Sequence, residues 1–166
     1  MSVNFTLNLE EAMEHLHKKG AFLTGSVNGK VNTMTISWGN IGFQWRKPVF
    51  IALVRENRYT KDFIDKSNEF TVTIPFDDAM KEALAFCGSK SGREFDKIKE
   101  CNLKLRDGDK VNTPVIQGNG MHYECKVIYK QPLDLKAMDK ELVDTFYNDG
   151  NNHVLYYGEI LNCYKL

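Results

Sequence analysis

Residues 21–38 read AFLTGSVNGKVNTMTISW, and this stretch decides the fold class. Two arms, Ala21–Ser26 and Val31–Trp38, flank the pair Asn28-Gly29. That pair suits a two-residue type I′ turn, in which both central residues need positive φ. The stretch therefore predicts an antiparallel hairpin. Along the second arm the side chains alternate between two faces. Asn32, Met34, Ile36 and Trp38 share one; Thr33, Thr35 and Ser37 share the other. A row of three small hydroxyls admits two readings. They can pair across strands, or they can leave a hydrogen-bonding surface for a flat polar ring.

Working outward, Leu9, Ala12, Met13 and Leu16 mark the apolar face of a helix. Asn8 can cap it, Glu11 sits at the third helical position and Gly20 stops it. The run PVFIALV from Pro48 predicts a strand buried on both faces. A loop at Arg55–Arg58 and a short helix over Tyr59–Lys66 follow, with Tyr59, Phe63 and Ile64 inward, then an alternating strand at Glu69–Ile74. Pro75-Phe76-Asp77 opens another helix, capped by Asp77 or Asp78, with Met80, Ala83, Leu84 and Cys87 as its stripe and Gly88 as its end. Cys101–Leu105, Val111–Ile116, Met121–Tyr129 and His153–Tyr164 predict further strands, with Asp107-Gly108 a turn. A helix around Met138–Tyr147 buries Leu142, Val143 and Phe146. Six to eight strands without regular helix alternation predict a mainly β protein, an antiparallel barrel with helical insertions.

The 166 residues and 19.1 kDa fit one domain over 1–166, with no linker or repeat. Lys+Arg and Asp+Glu number 22 each, so charge gives no case for nucleic acid or an anionic membrane. No apolar run approaches the ~20 residues of a membrane span, and the polar start lacks a signal-peptide core. A soluble, cytoplasmic protein is the expectation. Cys87, Cys101, Cys125 and Cys163 lie 14, 24 and 38 residues apart, a spacing that suits reduced thiols and no zinc site. No phosphate-binding glycine loop, nucleophile elbow or H-E-x-x-H motif occurs. His15 and His17 point apart on their helix and read as surface groups; His122 and His153 read as structural.

Two further segments stand out. Arg55-Glu56-Asn57-Arg58-Tyr59-Thr60 joins a strand to a helix start and offers guanidinium forks, amide and hydroxyl donors and a positive dipole end, a set that suits a phosphate. Its plainer reading is a solvated loop whose arginines pair with carboxylates. Ser91-Gly92-Arg93-Glu94-Phe95-Asp96-Lys97 permits close backbone approach and adds positive charge, or is simply a capped helix start.

Taken in order, Asn28-Gly29 with N-x-M-T-I-S-W, the strand after Pro48, R-x-x-R-Y-T, and C-G-x-x-S-G-R-x-x-D-K resemble the flavin reductase-like family of FMN-binding split-barrel proteins. The match is specific from Gly20 to Lys97 and weaker to Tyr164. The resemblance implies a Greek-key split barrel, a homodimer, and an oxidoreductase with one FMN (or FAD) per subunit, taking electrons from NAD(P)H as a flavin reductase or from a redox protein as a flavoredoxin-like carrier; a non-catalytic flavin-binding protein is the further alternative. It places Thr33, Met34, Thr35, Ile36, Ser37 and Trp38 along the flavin ring and ribityl chain. Arg55, Asn57, Arg58, Tyr59 and Thr60 fall at the phosphate and ribityl end, and Ser91, Gly92 and Arg93 over the cofactor. Arg93, Lys90 and Lys97 are candidates near flavin N1, and His122 near the ring edge. Glu56 departs from the family pattern, because a carboxylate beside a phosphate is repulsive unless it faces solvent. No metal ligand and no catalytic acid–base pair is implied: the flavin carries the chemistry.

Overall fold

The computed structural model describes residues 2–166. Helix α1 (Leu9–Lys18) precedes β1 (Ala21–Val27), β2 (Lys30–Ile36), β3 (Gly39–Gln44) and β4 (Lys47–Arg55). Helix α2 (Tyr59–Ser67), β5 (Glu69–Pro75), α3 (Lys81–Ser89) and α4 (Lys97–Glu100) follow. The short strands β6 (Leu105–Arg106) and β7 (Val115–Ile116) come next. Then come β8 (Gly120–Pro132), a 3-10 turn (Leu135–Ala137), α5 (Lys140–Phe146) and β9 (His153–Lys165). Seven strands pair antiparallel in the order β2-β1-β5-β8-β9-β4-β3, and β6-β7 form a separate pair. Strands β2 and β3 keep free edges, so the sheet is a barrel left open along one seam, with β2 lying near β4 across it.

The decisive hairpin forms as the sequence predicts. Asn28 and Gly29 adopt φ of 51° and 79°, and the register runs from Val27↔Lys30 to Ala21↔Ile36. Inside the barrel, Leu23, Phe50, Phe70, Val72, Tyr123 and Ile160 are buried. Phe50 packs on Tyr123 and Phe70 with ring centroids 5.5 and 6.4 Å apart. Helix α2 closes one end by burying Thr60, Phe63 and Ile64, with Tyr59 only half-buried.

Several local expectations fail, each for a physical reason. Strand β3 has no signal in the sequence because its turn, Trp45-Arg46, carries no turn residue, yet both residues hold positive φ (51° and 59°). Strand β4 buries Phe50, Ala52 and Val54 but leaves Ile51 and Leu53 half-exposed, so it has one core face and not two. Asn8 itself takes φ 51° and makes no side-chain cap. Helix α3 begins at Lys81 rather than at Asp77. The Asp77 carboxylate accepts from Ala79 N in a local turn, while Asp78 pairs with Lys19. Gly88 lies within that helix, which ends at Ser89. The strands predicted at Cys101–Leu105 and Val111–Ile116 shrink to the two-residue β6 and β7. Helix α5 buries nothing: Leu142 and Phe146 are exposed. His15 is half-buried and stacked on Phe76, not a free surface group.

Candidate functional site

A cavity of about 220 Å³ opens at the seam. Residues 34–38 of β2 and its continuation line one side; Leu53 and Arg55 of β4, with Arg58 and His153, line the other. The hairpin register determines what β2 offers here. A two-residue turn closed by Val27↔Lys30 makes every second pair hydrogen-bonded, so Thr33 and Thr35 fall at the non-bonded positions. Their backbone N–H and C=O groups point away from β1, toward the open edge. Lys97 Nζ donates to the Thr33 carbonyl at 2.9 Å, as that orientation requires.

Only Thr33 of the hydroxyl row follows the cross-strand reading. Thr33 Oγ1 donates to Leu23 O at 3.1 Å and shares a 3.0 Å bond with Thr24 Oγ1. Thr35 Oγ1 donates to Leu84 O on α3 at 2.6 Å. Ser37 and Trp38 are exposed. What β2 presents to a ligand is therefore backbone, not hydroxyls.

Three cations stand around this edge, and their partners separate them. Arg55 donates one guanidinium nitrogen to Asn151 O and the other to Phe146 O at 2.9 Å, with the Asp149 carboxylate 3.9 Å away. Arg58 donates to Gly88 O at 2.9 Å and Cys87 O at 3.1 Å. Lys97 is only 3% exposed and donates to Thr33 O and Cys87 O, both at 2.9 Å. Among the described residues neither Arg58 nor Lys97 has a carboxylate within salt-bridge distance. The last carbonyls of α3 satisfy both, the favourable place for cations on a helix. Burial, with Arg58 adding to it, pushes Lys97 down to about 8. Lys97 is thus a buried, carboxylate-free cation that the sequence offered only as one of several candidates.

The remaining predicted residues come close but face elsewhere. Asn32 Nδ2 donates to Thr60 Oγ1 at 2.9 Å, which docks α2 on β2 and leaves Thr60 buried. Arg93 donates to Asn57 O at 3.2 Å and to Asp62 at 3.0 Å, and lies over the Tyr59 ring at 4.7 Å. Asn57, Tyr59, Thr60 and Arg93 therefore knit the segments together, and none of them lines the 220 Å³ cavity. Ser91 Oγ accepts from Arg93 N at 3.2 Å. Gly92 and Arg93 line a separate recess of about 460 Å³ with Asn32 and Lys97. Lys90 is exposed and lies over the Phe95 ring. Glu56 faces solvent, which removes the repulsion its carboxylate threatened. His122 is buried, with Nε2 3.0 Å from Ile116 O and its ring stacked on Tyr164; it is structural.

Gly92 is where the loop and β2 touch. A Cβ there would lie 2.0 Å from Asn32 Oδ1. Gly92→Ala is expected to destabilise the fold by about 1–3 kcal/mol through overpacking. Thermal unfolding of the variant, with Asn32→Ala/Gly92→Ala recovering much of the loss, checks this.

His153 gains a role that periodicity could not show. Its Nδ1 lies 2.9 Å from Tyr147 Oη, and its ring sits 5.5 Å from that of Trp38. Burial, then the nearby Arg55 charge, lower it to about 4, so it is neutral near pH 7. The sequence placed it on a strand. Only the pairing of β9 with β4, Arg55↔His153, brings it beside the cavity.

This seam can be compared with known proteins. Residues 13–165 match the family described as the flavin reductase like domain. The chain belongs to the flavin reductase-like family. An uncharacterized protein of Archaeoglobus fulgidus is 26% identical over 150 residues, covering 90% of this chain and 74% of that protein. Flavoredoxin from Methanosarcina acetivorans superposes with a TM-score of 0.69 at 22% identity, covering 89% of this chain and 68% of that one. An FMN-binding protein from Thermus thermophilus, solved with bound p-hydroxybenzaldehyde, gives 0.70 at 20% identity, covering 89% and 71%. In this flavin reductase-like chain, the open seam between β2 and β3 is the split of the barrel.

Proposed function

We propose that this flavin reductase-like chain binds FMN at the β2 edge and works as a flavin-dependent oxidoreductase, with NAD(P)H as the electron donor. The observation that carries the reading is the open β2 edge at Thr35 facing a cavity with the half-exposed Leu53 on one wall and, on another, Arg58, which among the described residues has no carboxylate within salt-bridge distance. Backbone donors and acceptors in a fixed row suit the polar rim of a tricyclic ring. Leu53 and Trp38 suit its faces, and Arg58 suits a phosphate. At about 220 Å³ the cavity is smaller than the ~300–1,000 Å³ of typical ligand sites. It takes only part of a mononucleotide, with the phosphate end at Arg58, and the remainder lies along the edge by Thr35. There a second recess of about 570 Å³ begins, floored by Leu84, Ala85 and Gly88.

When bound, the flavin supplies hydride and electron transfer. The chain's own part is to hold and orient: β2 fixes the rim by backbone groups, and Arg58 supplies positive charge without a competing carboxylate. His153, neutral near pH 7, can hold a proton beside the cavity. A second copy of the chain is part of this reading on the family resemblance alone, and FAD is the alternative flavin. A flavoredoxin-like carrier, reduced by a protein, is a second reading. The exposed Trp38–Phe146 pair at the mouth, with ring centroids 5.1 Å apart, favours it as a surface for a protein partner.

Titrating the purified protein with FMN and riboflavin, then adding NADH or NADPH anaerobically, tests both readings. Flavin uptake followed by bleaching of the visible flavin band supports the reductase. Uptake with bleaching only by a reduced protein donor supports the carrier, and no uptake of any flavin overturns both.

A further inference from the structure

The segment joining β8 to β9, residues 133–152, has almost no core of its own. Helix α5 buries no residue, and Leu142 and Phe146 are 46% and 38% exposed. Besides backbone bonds at its two ends, what ties the segment to the sheet is Arg55, at the end of β4. Its guanidinium reaches the carbonyls of Phe146 and Asn151 together, lies 3.9 Å from the Asp149 carboxylate, and covers the Tyr147 ring at 5.1 Å. So held, Tyr147 is buried with its hydroxyl 2.9 Å from His153 Nδ1, and Phe146 meets Trp38 edge-on. Trp38, Arg55 and His153, which these contacts brace from behind, line the seam cavity.

We infer that Arg55 is a positioning residue: it fastens residues 146–152 behind Trp38 and His153, two lining residues of the flavin cavity, and so governs the seat of the ring, not the phosphate. The ligand named here rests on the flavin reading above. The division of labour follows from the partners. Arg55 already faces two carbonyls and a carboxylate, whereas Arg58 faces carbonyls alone. A planar guanidinium holds two carbonyls five residues apart in one fixed fork; a lysine ammonium keeps the charge but lacks that fork.

Arg55→Lys and Arg55→Gln separate fastening from phosphate binding. Both variants are expected to speed hydrogen exchange about tenfold or more at the amides of Tyr147 and Glu56. These amides donate to Val143 O and Asn152 O in the native protein. Amides of the β5 core serve as the internal standard against global unfolding. Both variants are also expected to weaken FMN and riboflavin by the same factor, about tenfold. Tyr147→Phe is expected to shift the His153 ring nitrogens in the ¹⁵N spectrum while the segment keeps its exchange protection. Wild-type exchange in Arg55→Lys would overturn the inference, as would a loss confined to FMN in Arg55→Gln. If the native protein takes up neither flavin, the flavin reading fails, and the exchange comparison still decides whether Arg55 is the fastening.

Discussion

Arg58→Ala is expected to raise the Kd for FMN more than a hundredfold while raising that for riboflavin less than tenfold. Arg58 is the cation of the cavity that has no carboxylate partner, and two of its nitrogens already hold the end of α3 through Gly88 O and Cys87 O. A phosphate meeting the remaining N–H groups would gain charge-assisted bonds in a partly desolvated setting. Losing them costs about 3 kcal/mol, which is over two decades in Kd. Riboflavin lacks the phosphate and registers only the loosened end of α3. Arg58→Lys is expected to fall between the native protein and Arg58→Ala, because lysine keeps the charge and loses the fork. Isothermal titration with both flavins at fixed ionic strength reads the difference. Equal losses would remove the phosphate from Arg58. The same pair of ligands applied to Arg55 variants gives the opposite pattern if Arg55 is a fastening, so the two arginines can be told apart within one experiment.

The second large effect is on acid stability. In the unfolded chain His153 takes up a proton near pH 6.5; in the fold, burial and Arg55 hold it neutral down to about 4. Between these values the unfolded state binds more protons, so stability is full above pH 6.5 and is lost as pH falls toward 4. A shift of this size corresponds to about 3 kcal/mol. His122 is lowered by burial too and acts in the same direction. The melting temperature is expected to fall steeply from pH 7 to 4.5 in the native protein and less steeply in His153→Gln. Parallel curves for the two proteins would show that His153 ionises freely.

How much of this was legible in the sequence depends on how local each cause is. The first hairpin was, because Asn28-Gly29 is a turn by its own conformational preference and needs no distant partner. The alternation along β2 was also legible, since the pleat alone sets it. The strand at Gly39–Gln44 was not. Its turn residues, Trp45 and Arg46, sit at positive φ against their own preference and are held there by pairing with β4. Helix α5 illustrates the opposite error. Leu142 and Phe146 carry the spacing of a buried face, yet both stay exposed, Phe146 meeting Trp38 at its edge.

The candidate site divides along the same line. The sequence by itself determined that residues 21–97 carry a hairpin, a basic helix start and a glycine-bearing loop in flavin reductase-like order, and the fold brings the three segments into contact. Only the tertiary structure decided which side chains face the seam. Thr60 is buried between α2 and β2 and Arg93 reaches Asp62 away from the cavity, Thr33 and Thr35 give their hydroxyls to neighbours and their backbone to the edge, and His153 arrives from the far end of the chain. The physical reason is that turn and strand preferences act over a few residues. The direction of a guanidinium or an imidazole is set instead by whichever carbonyl, ring or carboxylate the completed sheet places within reach.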